Sequence, residues 1–350
     1  MLKLTKRQEN ILNVIRQNKK ANNREIRQYL EKEREDVSRI TIIRDLDILL
    51  KNNLLVKKGR GRNVYYEEKV KNRMLAFYDP EKYFEKNPDQ REIKKSFNFS
   101  IFENLKNIFT ENEIKELKKL NEAYLKRIKK LSPTLLKKEF ERLTIELSWK
   151  SSAIEGNTYN LLDTEILIKE NKAAKGHKKE EAIMILNHKR ALDYIRDKKS
   201  DFKKLSLGKI ENIHSLIIND LSVKKGLRDK PVGIIGTNYK PLDIKYQVKE
   251  VMENMIKVID KAKDPFTKAL IVLLMISYVQ PFEDGNKRTA RLLADAILLA
   301  YDICPISYRS IDEAEYKKAI ILFYEQNSAH YLKKLFVEQY KFAISNYFGI

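Results

Sequence analysis

The sequence lacks the features that would place it in a membrane or in an oxidising compartment. Its only cysteine is Cys304, so it can form neither an intrachain disulfide nor a cysteine-rich metal site. The apolar run from Ala269 to Ile276 is far shorter than the roughly 18 residues of a membrane span. The amino-terminal residues also lack the apolar stretch of a secretory signal. We therefore expect a soluble, cytoplasmic protein that does not contact a membrane.

Glycine and proline are scarce as well, at 10 and 8 of 350 residues. From about residue 100 to Ile350, apolar residues recur at helical spacing almost throughout. The exception is the stretch from Val232 to Pro241, which is rich in β-formers and glycine and predicts one hairpin. Because the chain is longer than the roughly 250–300 residues that one hydrophobic core supports, we predict a mainly α protein of two domains.

Acidic residues are too few to balance the basic ones. Lysine and arginine number 70 and aspartate and glutamate 49, which gives a net charge of +21. The first 68 residues carry 17 basic and 10 acidic side chains, so their charge per residue is about twice that of the remainder. This excess favours a polyanionic partner such as nucleic acid or a nucleotide. A general lysine-rich composition is the alternative, but it explains the local concentration poorly.

The first 68 residues show the pattern of three short helices followed by a hairpin. The predicted elements are helices from Thr5, from Asn23 to Leu30 and from Ser38 to about Asn52, and two strands within Leu54 to Tyr66. Thr5 and Gln8 fit a capping box at the start of the first helix. Gly59 and Gly61 permit the positive φ angles of a hairpin turn. This order of elements is that of a winged helix.

The segment from Val37 to Leu54 resembles the recognition helix of winged-helix bacterial repressors. The resemblance covers about 65 residues and implies that residues 1–68 bind DNA and regulate transcription, with the third helix in the major groove. The candidates for base contacts are Ser38, Arg39, Thr41 and Arg44. The candidates for phosphate contacts on the hairpin are Lys57, Lys58, Arg60 and Arg62. A winged helix used for protein contacts is the alternative.

Residues 69–99 separate this module from the rest of the chain. They are charged, contain Pro80 and Pro88, and have only scattered apolar residues, so we predict a linker or a loosely packed bridge. Residues 100–350 then form the larger, helical domain.

A polar loop at residues 280–291, Gln-Pro-Phe-Glu-Asp-Gly-Asn-Lys-Arg-Thr-Ala-Arg, lies between two apolar helices. The residues predicted to bind phosphate are Gly285, Asn286, Lys287, Arg288 and Arg291. The first three surround the start of the second helix, where unpaired amides and the helix dipole favour an anion. The two arginines lie three residues apart on one side of that helix. Asp284 can supply the single carboxylate that Mg²⁺ commonly takes beside phosphate oxygens, so the loop predicts a nucleotide phosphate site.

These residues closely match the signature of the Fic family, His-x-Phe-x-Asp/Glu-Gly-Asn-Gly/Lys-Arg-x-x-Arg. Two further segments extend the resemblance to about residues 100–345. Residues 228–241 resemble the flap, a β-hairpin that holds an extended target segment by main-chain pairing, here through Ile234, Ile235, Gly236 and Thr237. Residues 151–157 resemble the inhibitory motif, Ser/Thr-x-x-x-Glu-Gly/Asn, at the end of a helix over about residues 133–156.

The resemblance implies transfer of AMP from ATP, with Mg²⁺, to a hydroxyl of a target protein or of the chain itself. The family's histidine takes the hydroxyl proton, and here that position is Gln280. An amide has no usable basicity near neutral pH, so Gln280 can orient an acceptor but cannot remove its proton. Loss of a positioned base slows transfer by roughly 10²–10⁴-fold, whereas nucleotide binding should survive.

The resemblance also implies a regulatory role for Glu155. A carboxylate that reaches Arg291 would neutralise the cation needed for the terminal phosphate. Ser151 lies one helical turn before Glu155, on the same face. An exposed residue at the end of a helix is the alternative reading of Glu155.

Three functions stay open at this point. The first is an auto-inhibited protein adenylyltransferase coupled to DNA binding. The second is a catalytically dead transcriptional regulator that senses a nucleotide. The third is a Doc-like phosphotransferase, because Lys287 stands where the AMP transferases usually have glycine; a lysine that points to solvent is the alternative. The sequence is compatible with a homodimer and identifies neither the target protein nor the DNA operator.

Overall fold

The chain divides into two units, Met1–Glu85 and Lys86–Ile350. The computed structural model describes residues 4–18, 20–33, 35, 37–52, 54–69, 72–105 and 107–348. The segment predicted as a linker, residues 69–99, is divided between the two units. Within the described residues the protein is mainly helical, as predicted, with one two-stranded sheet.

The first unit follows the predicted order of three helices and a hairpin. It contains α1 (Lys6–Gln17), α2 (Asn23–Lys32), α3 (Arg39–Lys51), β1 (Leu55–Lys58), β2 (Tyr65–Glu68) and the short helix α4 (Pro80–Phe84). The predicted capping box is confirmed: Thr5 Oγ1 accepts from Gln8 N at 3.3 Å, and Gln8 Oε1 accepts from Thr5 N at 3.1 Å. The strands pair antiparallel, with Leu55 opposite Glu68.

One apolar core and one buried carboxylate fix α3 in the first unit. The core residues from the three helices include Ile11, Ile15, Ile26, Leu30, Ile42, Leu46 and Leu49. Asp45 of α3 is also buried, and its carboxylate accepts from Arg7 Nε at 2.5 Å and from Gln8 Nε2 at 2.9 Å. Because both partners belong to α1, this contact ties α3 to α1 and leaves the opposite face of α3 exposed.

The second unit is built from helices around a central pair. Its helices are α5 (Ile101–Asn104), α6 (Glu111–Ile128), α7 (Pro133–Ala153), α8 (Leu161–Glu170), α9 (Lys179–Asp197), α10 (Leu207–Ile217), α11 (Lys245–Lys261), α12 (Pro265–Val279), α13 (Asn286–Ala300), α14 (Glu313–Gln326) and α15 (His330–Asn346). Every residue of α12 after Pro265 is buried, and so is every residue of α13 except Lys287. α12 packs on α13, while α7, α9 and α10 also contact α13.

The apolar character of α12 is explained by this central position, since a helix that is hydrophobic all round is normally buried. Within the described ranges, no helix combines the length and the apolar character needed to span a bilayer.

The prediction of a β-hairpin at residues 228–241 is wrong. These residues, all of which are described, form a loop with a turn at Ile235 and Gly236 and no strands that pair with each other. Pro231 and Pro241 lack amide donors for a ladder. Side chains also take up its carbonyl groups: Arg91, from outside the segment, donates to the carbonyl of Gly236, and Arg228, from within it, donates to that of Lys230. The flap is therefore held by side-chain contacts to its carbonyl groups rather than by pairing between strands of its own.

Candidate nucleotide site

The loop between α12 and α13 begins and ends on residues in the left-handed region. Gln280 caps the carboxyl end of α12 with a φ of 49°, and Gly285 precedes α13 with a φ of 77°. A Cβ atom at Gly285 would lie 3.3 Å from Ile218 Cγ2 and 3.6 Å from His214 Cδ2. Glycine therefore allows both the backbone conformation and the close packing that start α13 at this point.

The Gln280 side chain is held inside the loop. Its Nε2 donates to the carbonyl of Ser277 at 2.7 Å and to the Tyr324 hydroxyl at 3.2 Å. Its Oε1 accepts from Asn286 Nδ2 at 3.0 Å. Both ends of the amide are thus engaged, and neither can serve as a base near neutral pH.

Asn286 braces the same loop. Its Oδ1 accepts from the amide of Phe282 at 2.9 Å, and its Nδ2 donates to the carbonyl of Phe282 at 2.8 Å. The side chain of Asn286 is therefore used within the protein. What this position can offer an anion is its backbone amide, since the first N–H groups of a helix have no intrahelical acceptor.

His214, which the sequence gave no reason to place in this region, supports the loop from α10. Its ring stacks on Phe282 at 3.7 Å, and Nε2 lies 3.0 Å from the carbonyl oxygen of Asp284. A carbonyl only accepts, so this contact requires the tautomer with a proton on Nε2. Burial lowers the pKa of His214 to about 4, against the opposite effect of this hydrogen bond. A neutral, fully buried ring supports the loop and does not replace the missing histidine.

The two signature arginines are both buried. Arg288 places Nη2 3.3 Å from Asp284 Oδ2, and its side chain is 2% exposed, against 65% for that of Asp284. The guanidinium of Arg291, with a side chain 0% exposed, donates from Nε to Ser151 Oγ at 2.9 Å and from Nη2 to the carbonyl of Ser151 at 2.7 Å. Among Arg288, Arg291, Ser151 and Asp284, only Asp284 presents a charged oxygen to solvent.

Glu155 bridges two cations of α13. Its Oε1 accepts from Arg291 Nη2 at 2.9 Å, and its Oε2 accepts from Lys287 Nζ at 2.9 Å. Burial alone would raise the pKa of Glu155, but Arg291 and Lys287 outweigh it and lower that pKa to about 2. The carboxylate is therefore charged at neutral pH. The predicted spacing of Ser151 and Glu155 thus places both residues on Arg291, and Lys287 contacts the same carboxylate instead of pointing to solvent.

Arg228, the first residue of the flap segment, joins that segment to Gln280. The Nε of Arg228 donates to the carbonyl of Gln280 at 2.6 Å, and Nη1 donates to the carbonyl of Lys230 at 2.8 Å. Arg228 is buried, whereas Ile235 at the tip of the flap is 98% exposed. Of the other predicted flap residues, Gly236 is exposed and Ile234 and Thr237 are half-buried. Sequence reasoning missed Arg228, because an arginine in a polar segment gives no sign of its buried acceptors.

In the first unit, the residues predicted to contact DNA lie on α3 and the hairpin. Ser38 caps α3, and its hydroxyl lies 3.0 Å from that of Thr41. Thr41 is half-buried, and the seven other predicted residues are exposed: Ser38, Arg39, Arg44, Lys57, Lys58, Arg60 and Arg62. Lys58 forms an ion pair with Glu67 at 2.6 Å. All eight residues belong to the first unit.

A bound metal at this site would depend on the nucleotide. Across the residues that the structure describes, no group of three or more His, Cys, Asp and Glu side chains is arranged to hold an ion. Asp284 offers one exposed carboxylate beside the start of α13, and Mg²⁺ commonly binds one or two carboxylates together with phosphate oxygens. The residues present therefore fit Mg²⁺ bound with a nucleotide.

Comparison with known proteins agrees with the resemblance of the sequence to the Fic family. Residues 204–298 match the Fic/DOC family, a stretch that contains the flap, the loop and most of α13. The chain is 25% identical over 187 residues to the protein adenylyltransferase Fic of Nematostella vectensis, a match that covers 52% of this chain and 43% of that protein. The chain thus spans less than half the length of the curated relatives that it matches.

Two solved structures share the fold. A Fic family protein from Desulfovibrio desulfuricans has a TM-score of 0.56 and 20% identity, with 69% of this chain and 75% of that chain covered. Residues 134–508 of Fic-1 from Caenorhabditis elegans give a TM-score of 0.55 and 19% identity, with 67% and 70% covered. At these identities the likeness concerns the fold alone.

We expect Gly285→Ala to destabilise the second unit. A non-glycine residue in the left-handed region costs about 1–2 kcal/mol, and the new methyl group would press on Ile218. The measurement is urea denaturation followed by the fluorescence of Trp149. The matched control is Gly208→Ala in the first turn of α10, where a Cβ atom meets nothing within 4 Å. Equal stability of the Gly285→Ala variant and the wild type would contradict the role given to this turn.

Proposed function

We propose that the protein is a Fic-type adenylyltransferase that is inhibited by Glu155 and attenuated by Gln280. The match of residues 204–298 to the Fic/DOC family supports this proposal at the level of the family. The observation that carries this proposal is the contact of Glu155 with Arg291 and Lys287, both at 2.9 Å. Curated relatives are named protein adenylyltransferases, which supports AMP transfer as the family-level activity.

Inhibition follows from competition for one guanidinium. Arg291 is buried, so it needs an anionic partner, and a phosphate of ATP and the carboxylate of Glu155 are alternatives at the same donors. Because the pKa of Glu155 lies near 2, the carboxylate stays charged from mildly acidic to alkaline pH. Release of Arg291 therefore requires movement of the segment just after α7 that carries Glu155, or a change of residue, not a change of physiological pH.

The nucleotide would lie at the start of α13. The amides around Gly285, Asn286 and Lys287 provide the anion site, and Arg288 and Arg291 provide the charge for further phosphate oxygens. Asp284 would hold Mg²⁺, which when bound with ATP neutralises phosphate charge. An acceptor hydroxyl of a target segment at the flap would then face the position of Gln280.

Gln280 limits the chemistry rather than the binding. Its amide is bound to Asn286 and Tyr324, so it maintains the loop that family members with histidine also need. It cannot take the proton of the acceptor hydroxyl, which slows transfer by roughly 10²–10⁴-fold. We therefore propose that the chain with Gln280 binds ATP without efficient turnover.

A second candidate, a regulator that senses a nucleotide and binds DNA, is favoured by the same Gln280 contacts together with the exposed cations of α3 and the hairpin. In this reading residues 1–68 act as a winged helix on a duplex. Arg44 would contact base edges and the hairpin cations would contact phosphates. A homodimer would be compatible with either function.

We expect the double variant Gln280→His, Glu155→Gly to transfer label from α-labelled ATP onto protein. Histidine restores a base within the loop, and removal of the carboxylate frees Arg291. The measurement is incorporation of label into a target protein or the chain itself. The single variant Gln280→His serves as the control for inhibition, and should label less than the double variant.

Two outcomes would change the proposal. A folded double variant that incorporates no label contradicts the adenylyltransferase. Incorporation from γ-labelled but not from α-labelled ATP replaces AMP transfer with transfer of the terminal phosphate, the Doc-like alternative that Lys287 leaves open.

For the second candidate, we expect Arg44→Ala to weaken binding to a duplex selected from a random pool. Loss of one base contact lowers affinity by about 1–3 kcal/mol, or roughly 5–150-fold. The matched control is Arg73→Ala, an exposed arginine of the first unit outside α3 and the hairpin. Negligible binding by both wild type and variant at low salt would contradict DNA binding by residues 1–68. An affinity for the duplex that does not change with millimolar Mg-ATP would contradict coupling between nucleotide binding and DNA binding.

A further inference from the structure

The flap is supported by residues 87–98, a segment near the start of the second unit that we call the strap. Three hydrogen bonds join the two segments. Arg91 Nη2 donates to the carbonyl of Gly236 at 2.5 Å, and Asn238 Nδ2 donates to Asp89 Oδ1 at 2.8 Å. The amide of Lys240 donates to the carbonyl of Lys95 at 2.9 Å, next to an isolated parallel bridge between Ser96 and Lys240.

Arg91 is the buried member of this set. Its side chain is 2% exposed, and Nη2 lies 3.3 Å from an oxygen of Glu325, whose side chain is 0% exposed. Two buried charges lose their hydration and are retained only with well-placed partners, so this pair fixes the guanidinium firmly on α14. The neighbouring residue on α14, Tyr324, accepts the hydrogen bond from Gln280. Arg91 thus joins the flap to the helix that contacts the reactive position.

The far end of the strap is fixed to the end of α12. The amide of Asn98 donates to the Tyr278 hydroxyl at 3.0 Å, and the Phe97 ring stacks on Tyr278 at 4.8 Å. The flap reaches the same residue, because Tyr239 donates to the carbonyl of Tyr278 at 3.0 Å and stacks on its ring at 4.7 Å. Tyr278 lies two residues before Gln280. Strap and flap therefore share one anchor beside the signature loop.

From these contacts we propose that Arg91 is a positioning residue for the target segment, because it holds the flap at a fixed distance from position 280. The inference rests on the proposed adenylyltransferase function. Residues 228–241, all described, have no strand pairing of their own, and the tip at Ile235 is exposed, so their conformation depends on outside supports. A peptide that binds by main-chain hydrogen bonds needs a preformed edge, since ordering that edge on binding would reduce affinity.

The first experiment separates positioning from general damage. In the Gln280→His, Glu155→Gly chain, α-labelled ATP yields labelled protein if a hydroxyl attacks, and free AMP with pyrophosphate if water attacks. Only the first reaction needs the flap. We expect Arg91→Ala to lower the ratio of labelled protein to free AMP by about 10–100-fold, the effect of a small misplacement of a reactant. Arg91→Lys, which keeps the charge and one donor group, should restore part of the ratio.

The matched control is Arg127→Ala, which removes another arginine that donates to a backbone carbonyl at 2.5 Å, that of Ile344, away from the flap. It should leave the ratio unchanged. If Arg91→Ala fails to fold because Glu325 is left buried and charged, the pair Arg91→Ala, Glu325→Gln removes that charge and serves instead. An unchanged ratio in a folded Arg91 variant overturns the proposal.

The second experiment does not require turnover. Hydrogen exchange of the amides of residues 232–240, in a chain that keeps Gln280 and Glu155, should become faster in Arg91→Ala and stay as in wild type in Arg127→Ala. Flap exchange that is unchanged in a folded Arg91 variant overturns the positioning role even if labelling occurs. If the double variant gives neither labelled protein nor AMP, the proposed activity fails, while the exchange rates still decide whether Arg91 holds the flap.

Discussion

The contact between Glu155 and Arg291 is the interaction on which the rest of the site depends. Arg291 lies near the middle of α13, a helix with a single residue that is not buried. A guanidinium in such a place must have an anionic partner, because an uncompensated buried charge destabilises a protein by several kcal/mol. The chain provides Ser151 from α7 and Glu155 from just beyond the end of α7. The cation proposed to bind a phosphate is thus paired without a nucleotide, and under the proposed function the same contact competes with the nucleotide.

The hydrogen bonds that hold the loop between α12 and α13 do not depend on a group that transfers a proton. Gln280, Asn286, Tyr324 and the carbonyl groups of Ser277 and Phe282 form one set of hydrogen bonds, and His214 and Arg228 hold the backbone from two other elements. None of these contacts needs a group that titrates near neutral pH, since burial keeps His214 neutral. The geometry of a phosphate site can therefore persist when the base is absent. This separation makes a nucleotide-binding domain without efficient turnover physically reasonable.

The local features of this protein could be predicted from its sequence, and the long-range ones could not. The cap of α1 and the turn at Gly59 follow from residue types at fixed spacing within one element, whereas the approach of Glu155 to Arg291 could be predicted only from the resemblance to the Fic family. His214, Arg228 and Arg91 contact acceptors far away along the chain, and those acceptors are backbone carbonyls, which every residue has. The flap was predicted wrongly as a hairpin for the same reason. Its β-rich composition is local, whereas its conformation depends on Arg91 of the strap, which donates to the carbonyl of Gly236, and on Arg228, which binds the signature loop.

The central claim is that Glu155 and a phosphate of ATP compete for Arg291, and calorimetric titration with Mg-ATP tests it most directly. Glu155→Gln preserves the size of the side chain and removes its charge. Since hydrogen bonds to charged groups contribute about 1.5–3 kcal/mol, we predict that this variant binds Mg-ATP roughly 10–100-fold more tightly than the wild type. Equal affinities for the two proteins, both folded, would contradict the account.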